Sequence, residues 1–158
     1  MHSLATMTIR ATPSEGPTPG TGDRQAGAPD PEPAIRRRIA IVEDELMVAW
    51  SLQSTAEDLG HEVIGVFASG EAALEVLAEG SADLLFIDIN LGEGIDGVET
   101  ARRLCERQPV AVLFITAYAD PETRARVAHV VPSAKLMRKP VLRGLLEEAI
   151  AELGATRN

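Results

Sequence analysis

"LLFIDINLGEGIDG", residues 84–97, is the stretch that decides how this chain folds. Four apolar residues in succession suit a strand covered on both faces, as in a parallel sheet. The run stops at a carboxylate, Asp88, and the composition then turns to loop chemistry, with Gly92 and Gly94 able to take backbone angles that other residues avoid. An acid at the carboxyl end of a buried strand, followed by a glycine-rich turn, sits where open α/β sheets carry their sites.

Working outward, the same kind of apolar run recurs with a regular beat: "RIAIV" at 38–42, "EVIGV" at 62–66, "DLLFI" at 83–87, "VAVLFI" at 110–115 and "AKLM" at 134–137. Segments of helical period lie between them. Val48, Leu52, Ala56 and Leu59 share one face of a first helix, Ala72, Ala73, Val76 and Leu77 of a second, and Val98, Ala101, Leu104 and Cys105 of a third. Asp120-Pro121 is a cap followed by a proline at the first helical position, which opens a fourth. Leu142, Leu146, Ala149, Ile150 and Leu153 mark a fifth. Strict alternation of five strands and five helices predicts an α/β fold, a doubly wound (βα)5 three-layer sandwich with right-handed crossovers.

The 158 residues suffice for one domain with a substantial core. Residues 11–34 hold six of the ten prolines and almost no large apolar side chains, so they cannot offset their own ordering entropy. The expected organisation is a disordered tail over 1–36, a folded domain over 37–154 and a short disordered end over 155–158. A net charge of −9 makes nucleic acid an unfavourable direct partner, and Arg36-Arg37-Arg38 is too short a basic run to reverse that. No apolar stretch approaches the roughly 20 residues of a membrane span, and "MHSLATMTIR" lacks the apolar core of a secretory signal, so a cytoplasmic location is expected. The one cysteine, Cys105, reads as a small core residue.

The residues that follow each strand converge at one rim. They are Glu43, Asp44 and Glu45 after the first strand, Asp88 after the third, Thr116, Ala117 and Tyr118 after the fourth, and Lys139-Pro140 after the fifth. Taken singly each has an ordinary use: acids complement a helix dipole, Asp88 stabilises a turn, Thr116 ends a strand, Lys139 is a surface charge. Together they do not. Carboxylates at contact distance repel by about 4 kcal/mol per pair at an effective dielectric near 20, so the set requires a cation or a proton. Oxygen-only ligands favour a hard divalent ion such as Mg²⁺ over zinc. Such an ion, a lysine, a hydroxyl and a carboxylate are the parts of phosphoryl transfer, with Asp88 the candidate nucleophile.

"IVEDE", "LLFIDINL" with its following "DG", "FITAYAD" and "KLMRKP" resemble, in this order and spacing, the receiver domain of two-component response regulators. The resemblance spans residues 38 to about 153. It implies a flavodoxin-like parallel sheet of order 2-1-3-4-5 and a regulator rather than an enzyme acting on outside substrates. It further implies that Asp88 accepts a phosphoryl group from a sensor histidine kinase or histidine phosphotransfer protein, with a downstream protein as target. In that scheme Asp44 ligates Mg²⁺, Glu43 holds it through water, and Asp88 and the backbone carbonyl of Asn90 complete the protein ligands. Thr116 and Lys139 contact phosphoryl oxygens, and small Ala117 leaves the approach open.

Three positions depart from the common pattern. Glu43 is one methylene longer than the usual aspartate. The loop "GEGIDG" is one residue longer than the common form and lacks its proline. Leu136 stands where most receivers carry a Tyr or Phe that rotates on activation, while Tyr118 makes "FITAY" similar to the Phe-Ala-Thr-Gly-Tyr pattern of a mainly alphaproteobacterial subgroup. Tyr118 is therefore the expected coupling residue. Trp50 lies on the first helix, which the family uses to dock the phosphodonor, and its spacing fits contact or packing equally. With few residues after the fifth helix, a stand-alone regulator is expected. Two alternatives are a degenerate receiver that serves only as an interaction surface, and an aspartate-nucleophile phosphatase. The latter wants a second aspartate where Asn90 stands.

Overall fold

The structure, a computed structural model, describes residues 35–77 and 80–155. The strands are β1 (Arg38–Val42), β2 (Glu62–Phe67), β3 (Leu84–Ile87), β4 (Ala111–Thr116) and β5 (Lys135–Arg138). Between and after them run α1 (Leu46–Asp58), α2 (Gly70–Val76), α3 (Gly97–Arg107), α4 (Pro121–Val130) and α5 (Arg143–Ala155). Every expected strand is present. The sheet is parallel throughout, in the order β2-β1-β3-β4-β5.

Because each strand is apolar at successive positions, it serves two cores, and the pleat sorts its side chains between them. Ala40, Val42, Leu85, Ile87, Val112 and Phe114 face α2, α3 and α4, meeting Ala73, Val98, Ala101, Leu104 and Val127. Ile39, Ile41, Leu84, Phe86, Leu113 and Ile115 face α1 and α5, meeting Leu52, Ala56, Leu146, Ile150 and Leu153. Each large side chain buried this way stabilises the fold by about 1.5–3 kcal/mol relative to exposure.

Helix starts follow local chemistry. Ser69 accepts from the Ala72 N–H, Asp96 from Glu99 at 2.9 Å and Asp120 from Thr123 at 2.6 Å, the last with Pro121 in the first turn as expected. Two expected core residues point outward instead. Val76 is 65% exposed because α2 ends there and Leu77, turning into extended backbone, takes the buried place. Leu142 is 61% exposed because it precedes the first turn of α5. Cys105 is only half-buried; burial pushes its thiol up, and the thiol lies 3.9 Å from the Val110 carbonyl.

The expected tail over 1–36 lies outside the described residues except for Ile35 and Arg36, and Arg36 pairs with Glu62 at 3.5 Å. At the other end α5 continues through Ala155, one residue past the expected boundary. No helix among the described residues is long and apolar enough to cross a membrane.

Strand register positions the rim. Val42 pairs with Ile87, Ile87 with Phe114, and Thr116 with Arg138, so the carboxyl ends of β1, β3, β4 and β5 finish at neighbouring levels. Ladder hydrogen bonds run one residue further, from Asp88 N to Val42 O at 3.0 Å and from Lys139 N to Thr116 O at 2.9 Å. Beyond Asp88, the chain returns to the sheet through Gly97, whose N–H donates to Ile89 O at 2.9 Å. A Cβ on Gly97 would overlap the Asp88 carbonyl and crowd the Ile89 Cα. Gly97→Ala is therefore expected to lower stability by about 1–3 kcal/mol in urea unfolding, the usual range for overpacking against backbone. A midpoint within error of the parent would show that α3 can move away without cost.

Candidate functional site

Glu43 and Asp88 extend the two central strands and are 2% and 5% exposed, a placement that charged side chains adopt only when paired. Their partner arrives from the sheet edge. The Lys139 ammonium lies 2.7 Å from Asp88 Oδ2, 2.8 Å from Glu43 Oε2 and 3.6 Å from Glu45 Oε1. The other Asp88 oxygen, Oδ1, accepts the Asn90 N–H at 3.1 Å, and Glu43 Oε1 accepts the Glu45 N–H at 3.1 Å. Asp88 is thus held by a hydrogen bond from the ammonium and one from a backbone donor, whereas Glu43 Oε2 lies at ion-pair distance from Lys139 but, among the described residues, accepts no hydrogen bond.

The loop after Asp88 is held from outside. Gly92 and Gly94 adopt φ of 70° and 96°, the left-handed region anticipated for this turn. Glu71 on α2 accepts the Ile95 N–H at 2.8 Å through the space that a Gly94 side chain would fill, and that donor holds its carboxyl below the ordinary value. Asp96, the α3 cap, also pairs with Arg126 of α4; burial opposes its ionisation, but the guanidinium and the Glu99 N–H hold it low.

Burial pushes Glu43 above the usual carboxylate value, and the Lys139 ammonium and Glu45 N–H only partly reverse this. For Lys139, burial works against the charged form, but its interactions with the Asp88 and Glu43 carboxylates prevail and raise it above an ordinary lysine. A base raised in the folded state stabilises fully below its unfolded value and loses that contribution as pH climbs through its folded one.

Of the other expected site residues, Thr116 is fully buried and its hydroxyl donates to the Tyr118 backbone carbonyl at 3.1 Å. Ala117 is exposed beside it, and the Tyr118 side chain is 66% exposed. Leu136 pairs with Phe114 and packs into the core beneath α4, where it holds no polar contact. Trp50 is 58% exposed on α1, which decides its spacing in favour of surface rather than packing.

Carboxylate oxygens of Glu43, Glu45 and Asp88 all lie within 4.8 Å of one another, an oxygen-only set that suits a hard divalent cation. Asp44, the expected direct ligand, is not in that set. It is exposed, with Oδ2 turned toward Gly92, 3.4 Å from where a side chain on that glycine would begin. Glu45, read in the sequence only as part of an acidic cluster, stands in its place. The chain signalled this by offering three consecutive acids, but spacing alone does not say which of them turns inward.

A model described as the response regulator receiver domain matches residues 39–151. The chain belongs to that family. The phyllosphere-induced regulator PhyR of Methylorubrum extorquens is 37% identical over 83 residues, 52% of this chain and 31% of PhyR. The transcriptional regulatory protein PdtaR of Mycobacterium tuberculosis is 28% identical over 101 residues, 63% of this chain and 49% of PdtaR. The chain thus spans a third to a half of these curated relatives. Among solved structures, the PhyR receiver domain of Erythrobacter litoralis superposes with a TM-score of 0.67 at 28% identity, covering 78% of this chain and 93% of that one. The family anticipated from four sequence motifs is the one found, and its flavodoxin-like sheet order is the one observed.

Lys139→Met leaves the buried acids of this receiver without their cation. It is expected to cost roughly 1–3 kcal/mol near neutral pH, the range for buried groups stripped of a partner. The deficit relative to the parent should shrink as pH rises above the ordinary lysine value of about 10.4, where the parent loses the same charge. Urea unfolding of both proteins from about pH 8 to about pH 12 measures this; a constant difference would mean that Lys139 stabilises by packing.

Proposed function

We propose that Asp88 is the phosphoacceptor of a two-component relay, taking a phosphoryl group from a phosphohistidine on a kinase or phosphotransfer protein. The observation that carries this is the 2.7 Å contact between the Lys139 ammonium and Asp88 Oδ2, at the carboxyl end of β3, where Asp88 is buried at the rim. An Asp88 carboxylate oxygen attacks phosphorus, the P–N bond to the imidazole breaks, and the departing nitrogen recovers its electron pair. The product is an acyl phosphate. Lys139 then pairs with a phosphoryl oxygen in exchange for Asp88 Oδ2, and the Thr116 hydroxyl exchanges the Tyr118 carbonyl for another. Exposed Ala117 leaves room for the donor.

Glu43, Asp88 and the Asn90 carbonyl would hold Mg²⁺, with Asp44 joining them once its exposed side chain turns from Gly92. When bound, the ion neutralises charge that builds on the phosphoryl oxygens. The protein then acts through contacts with a downstream protein or by passing the phosphoryl group onward, with Tyr118 as the coupling residue.

Incubation with Mg²⁺ and acetyl phosphate, followed by intact-mass measurement, is expected to add one phosphoryl group to the parent and none to Asp88→Asn. No gain from acetyl phosphate or from any kinase would instead make this a receiver that serves only as an interaction surface. For the coupling step, NMR of Tyr118→Ala before and after phosphorylation should show smaller shift changes along α4 than the parent; undiminished changes would remove Tyr118 from the route.

A further inference from the structure

Helix α4 is held to the domain by little apolar surface. Val127 is its one buried residue, helped by partly buried Val130 and by Val131 at the cap, whereas α3 beside it buries Val98, Ala101 and Leu104. Its polar hold on α3 is a single bridge. Both terminal nitrogens of Arg126 reach the Asp96 carboxylate, Nη2 donating to Oδ1 at 3.1 Å and Nη1 to Oδ2, the two-pronged geometry that arginine and carboxylate favour. Among the described residues no other side-chain hydrogen bond or ion pair joins α4 to α3, and Glu99, within electrostatic reach of Arg126, is taken up by Arg102 and Arg103 of its own helix. The two ends of the bridge are not equally free. Asp96 is fixed, since Oδ1 also accepts the Glu99 N–H, its carbonyl accepts the Thr100 hydroxyl at 2.8 Å, and Gly97 after it lies against the Asp88 carbonyl. Arg126 rides on α4, whose cap at Asp120 is two residues from the Tyr118 carbonyl that the Thr116 hydroxyl holds.

Resting on the reading of Asp88 as the phosphoacceptor, we propose that the Asp96–Arg126 bridge is a latch that holds α4 in its resting position and sets how far phosphorylation displaces it. When the Thr116 hydroxyl turns to a phosphoryl oxygen, the released Tyr118 carbonyl lets the start of α4 move. Arg126, in the next turn, is then drawn from an acid that cannot follow. The displaced arrangement forfeits the bridge, so the bridge weights the equilibrium toward rest. An exposed pair is weak and is screened by salt, which suits a restraint that a single phosphoryl group must overcome.

Amide hydrogen exchange and NMR of the full chain, before and after treatment with Mg²⁺ and acetyl phosphate, test this. Arg126→Met keeps the aliphatic stem and Asp96→Asn keeps an acceptor for the Glu99 N–H, so each removes the bridge while sparing packing or the α3 cap. In the unphosphorylated protein each should speed exchange over α4 by about threefold, the scale of an exposed ion pair, with α5 unchanged. The double variant should add nothing further, since both changes break one interaction. The α4 amides of both variants should resonate part of the way toward their positions in the phosphorylated parent, and about 0.5 M NaCl should move the parent in the same direction. Exchange that rises throughout the domain would mean general loss of stability and would overturn the latch. So would α4 amides that keep their resting positions in both variants while the parent is phosphorylated, an outcome that leaves the phosphoacceptor reading intact. A parent that gains no phosphoryl group from acetyl phosphate or from a kinase would overturn both.

Discussion

The structure turns on one ion pair shared two ways, the Lys139 ammonium between Asp88 and Glu43. Neither acid could stay charged and buried alone, and the two side by side would repel by several kcal/mol in a medium of intermediate dielectric, roughly 4 kcal/mol at contact. A single cation from the edge strand resolves both. The resolution is incomplete, because Glu45 brings a third carboxylate to the same ammonium. The rim therefore carries more acid than lysine can neutralise, which is a physical reason for it to take up a further cation.

Everything that brings these groups together is backbone. Parallel pairing in the order β2-β1-β3-β4-β5 makes β1 and β3 neighbours at the reversal of strand order, so Glu43 and Asp88 emerge side by side. Lys139 comes from two strands away and reaches across β4, its own N–H tied to the Thr116 carbonyl. Gly97 lets α3 start directly against the Asp88 carbonyl, and Glu71 fixes the intervening loop from α2. The site is thus built from interactions that also close the two cores, and disturbing the packing there disturbs the carboxylate.

Apolar runs of four to six residues separated by helical periods made the sheet and its helices legible, since only a strand covered on both faces tolerates such runs. The rim was legible for the same reason, as the place where those runs stop. What spacing could not fix was rotation about single bonds. Asp44 and Glu45 are adjacent, and the structure directs the second over Lys139 while the first lies against Gly92. Val76 and Leu142 matched a helical face but fall at the last residue of α2 and just before the first turn of α5, because periodicity marks a face and not where the helix ends. The close approach at Gly97 was not legible, because it joins residues whose contact exists only once β3 and α3 have packed.

The way a signal would leave Asp88 is narrowed by what Leu136 and Thr116 do. Leu136 is packed beneath α4 opposite Phe114 and has no polar atom to follow a change in charge. Thr116 has one, and its hydroxyl is spent on the Tyr118 carbonyl. If that hydroxyl turns to a phosphoryl oxygen, the carbonyl loses its donor in a segment only two residues from the Asp120 cap of α4. The Ala119 carbonyl in between is held by Arg124 from the first turn of the same helix. On the phosphoacceptor reading, the first consequence of transfer is therefore a backbone change over 117–120 that acts on the start of α4. The exposed Tyr118 ring moves with that main chain, which is the way it would couple the change to α4.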